Sequence, residues 1–113
     1  MVVDAKVRHM DLFVIEVDTE GATVVVFDGD VPAKFRVIDV TVDTIATVSS
    51  GTVKVTDGSS DITNAIVAAV TKVVTRAGTI DPAKNEIAAG GSLSVVVANS
   101  ADARVFIHCV RTD

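Results

Sequence analysis

The strongest constraint on the fold is an alternating stretch at residues 31–43. After Pro32, positions 35–43 hold β-branched residues and one phenylalanine, interspersed with one arginine and two aspartates. Such alternation is typical of a half-buried β-strand. Pro32 marks the start of the strand, because proline cannot donate a hydrogen bond within a ladder. A chain with this stretch must bury one strand face against a second layer.

The two faces of this stretch predict different surroundings. One face carries Arg36 and then three aliphatic residues. These aliphatic residues are predicted to point into the core: Ile38, Val40 and Val42. The opposite face is predicted to meet solvent or another subunit, and its interface candidates are Phe35, Val37 and Asp39.

Similar patterns predict further strands at residues 12–17, 22–27, 52–56, 92–98 and 103–110. Turn residues between the first two of these strands, and between the last two, predict two hairpins. Asp57-Gly58 is a strong turn signal after the strand at 52–56, because Gly58 can adopt positive φ. The regular spacing of short strands predicts an all-β fold, a single-domain β-sandwich or jelly roll of about eight short antiparallel strands with at most one short helix.

Residues 62–74 are ambiguous. Their apolar positions fit one face of a helix, with Asp61 as a cap and Gly78 as a stop. The many β-branched residues favour two short strands instead, at 62–67 and 71–76. Residues 81–84 are predicted to form a single helical turn that begins at Asp81.

The 113 residues suffice for one domain. Residues 12–113 are assigned to the sandwich, and residues 1–11, which mix charged and apolar side chains, to an N-terminal arm or edge strand. This arm is the best candidate to become ordered on a partner. Its interface candidates are Val2, Val3, Lys6, Arg8 and His9.

Charge and hydropathy bear on the classes of partner. A net charge of −5 with scattered basic residues argues against nucleic-acid binding. The longest apolar run, residues 65–70, is far too short to span a membrane. Hydrophobic residues make up 49% of the chain, which indicates extra apolar surface between subunits. The single cysteine, Cys109, excludes an intrachain disulfide and is expected to face the core or an interface, and we expect assembly in a reducing cytoplasm.

The sequence predicts no catalytic or cofactor site, and we expect that the protein is not an enzyme. His108 and Cys109 are adjacent in a predicted strand, so their side chains point to opposite faces and cannot form a nucleophile pair. The acidic loops at residues 28–30 and 57–61 have the composition of ordinary turns, with calcium binding the less favoured alternative. Arg76 is expected to be solvent-exposed, with a buried or interfacial ion pair to an aspartate as the less favoured alternative.

Several segments together resemble the small jelly-roll capsid decoration, or cement, proteins of tailed bacteriophages. They are Val31-Pro32-Ala33 leading into residues 35–42, and residues 52–58, 62–65, 76–81 and 86–93. The resemblance covers roughly residues 30–110 and consists of structural segments, with no catalytic signature.

This resemblance implies an accessory virion protein on the outside of a capsid, made in the host cytoplasm. Its expected partners are the major capsid protein and further copies of itself, with a homotrimer favoured. The function it implies is stabilisation of the head by clamping neighbouring capsid subunits, which many modest interfaces achieve together. The alternative is another phage virion β-module, such as a tail, fibre or host-surface-binding domain.

Overall fold

The structure, a computed structural model, describes residues 12–112, which form two antiparallel β-sheets. In the first sheet the order is β1, β9, β3, β6, with β7 also paired to β3; in the second it is β2, β8, β4, β5. The described residues contain no helix, so the predicted all-β sandwich is confirmed. The strands are β1 (Leu12–Asp18), β2 (Val24–Phe27), β3 (Phe35–Ala46), β4 (Thr52–Thr56), β5 (Ile66–Val67), β6 (Val74–Arg76), β7 (Glu86–Ile87), β8 (Leu93–Ala98) and β9 (Asp102–Arg111).

The core lies between the two sheets and consists mainly of branched aliphatic side chains. Along β3 and β9 about every second side chain is buried between the sheets, and the fold gains the free energy of apolar burial. Cys109 is also in this core, as predicted. The central members are Val40, Val42, Val105 and Ile107 from the first sheet and Val53, Val55, Leu93 and Val95 from the second.

A bulge in β3 reverses part of the predicted alternation. The register against β9 shifts between Val37 and Asp39, so that Ile38 is an extra residue in β3. An extra residue moves the following side chains to the opposite face. The inward positions are therefore Phe35 and Val37 before the bulge and Val40 and Val42 after it.

The bulge corrects three of the predicted orientations. Ile38 is 48% exposed and lies on the outer face, whereas Phe35 and Val37 are 3% and 0% exposed in the core. The prediction that Ile38 points inward and that Phe35 and Val37 point outward is wrong. The core positions predicted for Val40 and Val42 are confirmed.

The two predicted hairpins are wrong, although their strands exist. β1 pairs with β9 in the first sheet and β2 pairs with β8 in the second, so the turn after β1 and the turn after β8 both cross between sheets. Thr19 holds this crossing together: its buried hydroxyl donates to the Ala101 carbonyl at 2.8 Å and accepts from the Ala103 amide at 3.0 Å. The Thr19 amide donates to the Ala103 carbonyl.

Residues 62–74 contain short strands and no helix. β5 has two residues and β6 has three, both shorter than the predicted strands. The helical alternative is therefore wrong. The single turn predicted at residues 81–84 is present, since the amides of Lys84 and Asn85 both donate to the Asp81 carbonyl.

The predicted turn at Asp57-Gly58 is also confirmed. Gly58 has a φ of +97°, a region that favours glycine. The Asp57 carboxylate accepts hydrogen bonds from the backbone amides of Ser60 at 2.6 Å and Ser59 at 3.0 Å. The hydrogen bond from Ser60 is the largest of the effects that lower the pKa of Asp57 below its ordinary value.

We expect the turn to lose stability in acid. A carboxyl group with a folded-state pKa below its unfolded value stabilises the protein above the unfolded value, near pH 4, and this contribution is lost as the pH falls through the folded-state pKa. Thermal unfolding of the parent chain and of Asp57→Asn at pH 6 and pH 3 measures the effect. The parent should unfold at the higher temperature at pH 6, with a smaller difference at pH 3; a difference independent of pH would contradict this expectation.

Candidate interaction surfaces

The predicted interface residues have three different outcomes. Val2, Val3, Lys6, Arg8 and His9 lie outside the described residues. Phe35 and Val37 are in the core of the single chain, and Val37 has no exposed surface with which to meet another subunit. Asp39 and Arg76, in contrast, come together on the outer face of the first sheet.

Asp39 and Arg76 form an ion pair across β3 and β6. The Arg76 Nε lies 2.7 Å from the Asp39 Oδ2, and the Asp39 Oδ1 accepts a hydrogen bond from the Val40 amide at 2.9 Å. The Arg76 side chain is mostly exposed and the Asp39 side chain is half-buried. The favoured prediction, an exposed Arg76, is confirmed; the arginine also pairs with an aspartate, but this pair is not buried, and its exposure makes it a weak contributor to stability.

An apolar patch covers the outer face of the first sheet near the start of β1. Leu12 and Val14 of β1 are exposed there, and Ile38 joins them because the β3 bulge turns it outward. Val14 lies opposite His108 of β9, whose Nε2 is 3.5 Å from the Thr41 hydroxyl. We call Leu12, Val14 and Ile38 the outer-face patch.

A second apolar surface lies on the opposite side of the sandwich, where β5 and β6 are the last strands of the two sheets. Backbone hydrogen bonds hold it against the end of β3: the Thr44 amide donates to the Val73 carbonyl at 3.2 Å, and the Lys72 amide donates to the Thr44 carbonyl at 2.9 Å. Its five side chains are between 45% and 64% exposed. We call them the aliphatic edge: Ile45, Val67, Val70, Val73 and Val74.

Sequence reasoning missed the aliphatic edge, although a signal for it existed. Val70, Val73 and Val74 shared one face of the helix that the ambiguous segment could have formed. Because the segment instead forms short strands joined by turns, these side chains have no layer to cover them. The signal was that residues 62–74 are strongly apolar but lack the regular alternation of a strand with one buried face. Such a segment can leave apolar side chains exposed.

A groove opens between the two sheets beside β1 and β2. Phe13 and Ile15 line it from β1, Phe27 from β2 and Phe35 from β3. The rings of Phe13 and Phe35 meet edge to face, with centroids 5.5 Å apart and planes at 76°. Lys34 and Arg111 stand at its rim, and the Lys34 Nζ lies 2.7 Å from the Glu86 Oε1, which lowers the pKa of Glu86.

His108 and Cys109 do not form a nucleophile pair. Burial raises the pKa of the Cys109 thiol to about 12, so Cys109 stays protonated and unreactive at neutral pH. His108 lies on the other face of β9, as the alternation predicted. Within residues 12–112, no three His, Cys, Asp or Glu side chains are grouped in a way that could hold a metal ion.

Comparison with protein-family models, curated proteins and solved structures finds no match to this chain. In the described part of the chain, no helix has the length and apolar character needed to cross a membrane.

Proposed function

We propose that this protein is a structural virion component, a capsid decoration protein that binds the outside of a major capsid lattice and stabilises the head. The observation that carries this proposal is the exposure of two separate apolar surfaces, the outer-face patch and the aliphatic edge, on so small a sandwich. Contiguous exposed apolar surface marks sites of protein–protein contact. The resemblance at residues 30–110 supplies the identity of the partner.

The placement of the two surfaces supports assembly of several copies. The outer-face patch lies toward the β1 side of the first sheet and the aliphatic edge lies at its β6 side. A contact between unlike surfaces of neighbouring copies is heterologous, and such contacts close into rings when the rotation allows. This arrangement suits the proposed homotrimer, in which each copy uses one surface for each neighbour.

The proposal predicts that charge at the aliphatic edge prevents self-assembly. We expect the double variant Val67→Asp, Val70→Asp to run as a monomer where the parent chain runs as an oligomer, because each carboxylate would lose its hydration in the interface. Size-exclusion chromatography with light scattering at micromolar concentration measures the mass. Both positions are exposed in the single chain, so circular dichroism should show an unchanged fold.

The matched control is Thr79→Asp, which adds a carboxylate at an exposed position outside the aliphatic edge. It should leave the oligomer intact. A parent chain that is strictly monomeric and does not sediment with purified capsids would refute the proposal. Retention on host-cell surfaces together with absence from purified heads would instead support a tail, fibre or host-binding module.

A further inference from the structure

The groove between β1 and β2 has the size and lining of a small-molecule site. Its volume is about 410 Å³, within the usual range of roughly 300–1,000 Å³ for ligand pockets. Three of the four phenylalanines in the chain line it: Phe13, Phe27 and Phe35. An aromatic lining offers water few hydrogen bonds, so an apolar ligand can displace water from it at little cost.

The rim of the groove differs in charge from the rest of the protein. The chain carries a net charge of −5, yet among residues 12–112 the two charged residues that line this groove, Lys34 and Arg111, are both cationic. Phe35 and Arg111 lie opposite each other in the pairing of β3 with β9, so one cationic residue is next to the aromatic lining in the sheet. Lys34 precedes Phe35 in the chain and already binds Glu86.

These two features specify the chemistry of a ligand. An apolar chain or ring suits the phenylalanine lining, and an anionic group suits the cations at the rim. Lysine and arginine carry several N–H donors each, so a carboxylate can be a further acceptor in addition to the partners that Lys34 and Arg111 already have. Charge-assisted hydrogen bonds of this kind are about twice as strong as neutral ones.

We propose that the groove binds a small anionic amphiphile, with its apolar chain against the lining formed by Phe13, Phe27 and Phe35 and its carboxylate at Lys34 and Arg111. This inference is independent of the proposed capsid function, since it concerns neither the outer-face patch nor the aliphatic edge.

The test compares three probes with the same eight-carbon chain and different head groups: octanoate, octan-1-ol and octyltrimethylammonium. Each is titrated into the isotopically labelled full chain while amide chemical shifts are followed by NMR. We expect saturable shifts at Phe13, Phe27 and Phe35, with octanoate binding tighter than the alcohol and the cation binding weakest.

Three variants in the groove and one control outside it locate the binding. Ala33→Leu adds bulk to a half-buried position in the groove lining and should abolish binding of octanoate and octanol alike. Arg111→Gln should weaken the binding of octanoate on the order of tenfold and leave the binding of octanol unchanged. Lys34→Gln tests the second cation at the rim in the same way. Lys84→Gln, an exposed cation that does not line the groove, should change neither affinity.

Several results would overturn the inference. They are the absence of saturable shifts, equal binding of the cationic probe, and shifts centred on the aliphatic edge in place of the groove. Protection of the groove by a second copy at high concentration, or by purified capsids, with no response to octanoate, would show that a protein occupies it and would also overturn the inference.

Discussion

Substitution of Thr19 by valine should lower the free energy of unfolding by about 2–4 kcal/mol. The Thr19 side chain is 2% exposed, and its hydroxyl bonds both the Ala101 carbonyl and the Ala103 amide. Valine has nearly the same shape but no hydroxyl, so both backbone groups would be buried without that partner, at about 1–3 kcal/mol each. Chemical denaturation of the parent and the variant measures the difference.

The same substitution at Thr44 is the matched control. Thr44 is also 2% exposed, but its hydroxyl has no hydrogen-bond partner among the described residues. Thr44→Val therefore removes a buried polar group that is unsatisfied, and we expect an unchanged or slightly increased free energy of unfolding. An equal loss for both variants would show that the Thr19 hydrogen bonds do not hold the crossing between sheets.

Substitution of Gly51 by alanine is the second change with a large expected effect. A Cβ atom at Gly51 would lie 2.7 Å from the Ala68 carbonyl oxygen and 3.2 Å from the Ala101 Cβ. The Gly51 carbonyl also accepts a hydrogen bond from the Ala68 amide at 2.9 Å, which holds the two backbones together. We expect a loss of about 1–3 kcal/mol, because the backbone must move to admit the methyl group.

Gly78→Ala provides the comparison for Gly51→Ala. The nearest atom to a Cβ at Gly78 is the Asn64 Nδ2, at 3.3 Å, and a flexible side chain can move where a paired backbone cannot. Neither glycine has a positive φ, so conformational strain does not separate them. Thermal and urea unfolding should show a much smaller loss for Gly78→Ala, and similar losses would contradict the steric explanation.

The choice between strand partners could not be predicted from local pattern. Residues 12–17 and 22–27 read as a hairpin because a four-residue turn with a glycine separates them, and the last two strands read as a hairpin for the same reason. In the fold these turns cross from one sheet to the other. The hydroxyl of Thr19 makes the first crossing favourable, and its partners, Ala101 and Ala103, are more than eighty residues away in the chain.

The candidate surfaces were predicted less well than the fold. The exposure of Arg76 was predicted, and its pairing with an aspartate was the less favoured alternative; the partner is Asp39, 37 residues earlier in the chain. The aliphatic edge and the groove were not, because each depends on where short strands leave apolar side chains uncovered. The high hydrophobic fraction of the composition indicated that the chain has extra apolar surface, but it did not indicate where that surface lies.

The sequence by itself determined the fold class, most of the strands and the turn at Asp57-Gly58, because alternation and turn chemistry are local properties of the chain. Only the tertiary structure decided which faces are exposed. The alternation at 35–43 predicted that Ile38 is buried and Val37 exposed. Because β3 has a bulge where it pairs with β9, Ile38 is exposed and Val37 is buried. A bulge depends on how two strands that are distant in sequence pair with each other. It therefore cannot be predicted from the sequence of one strand alone.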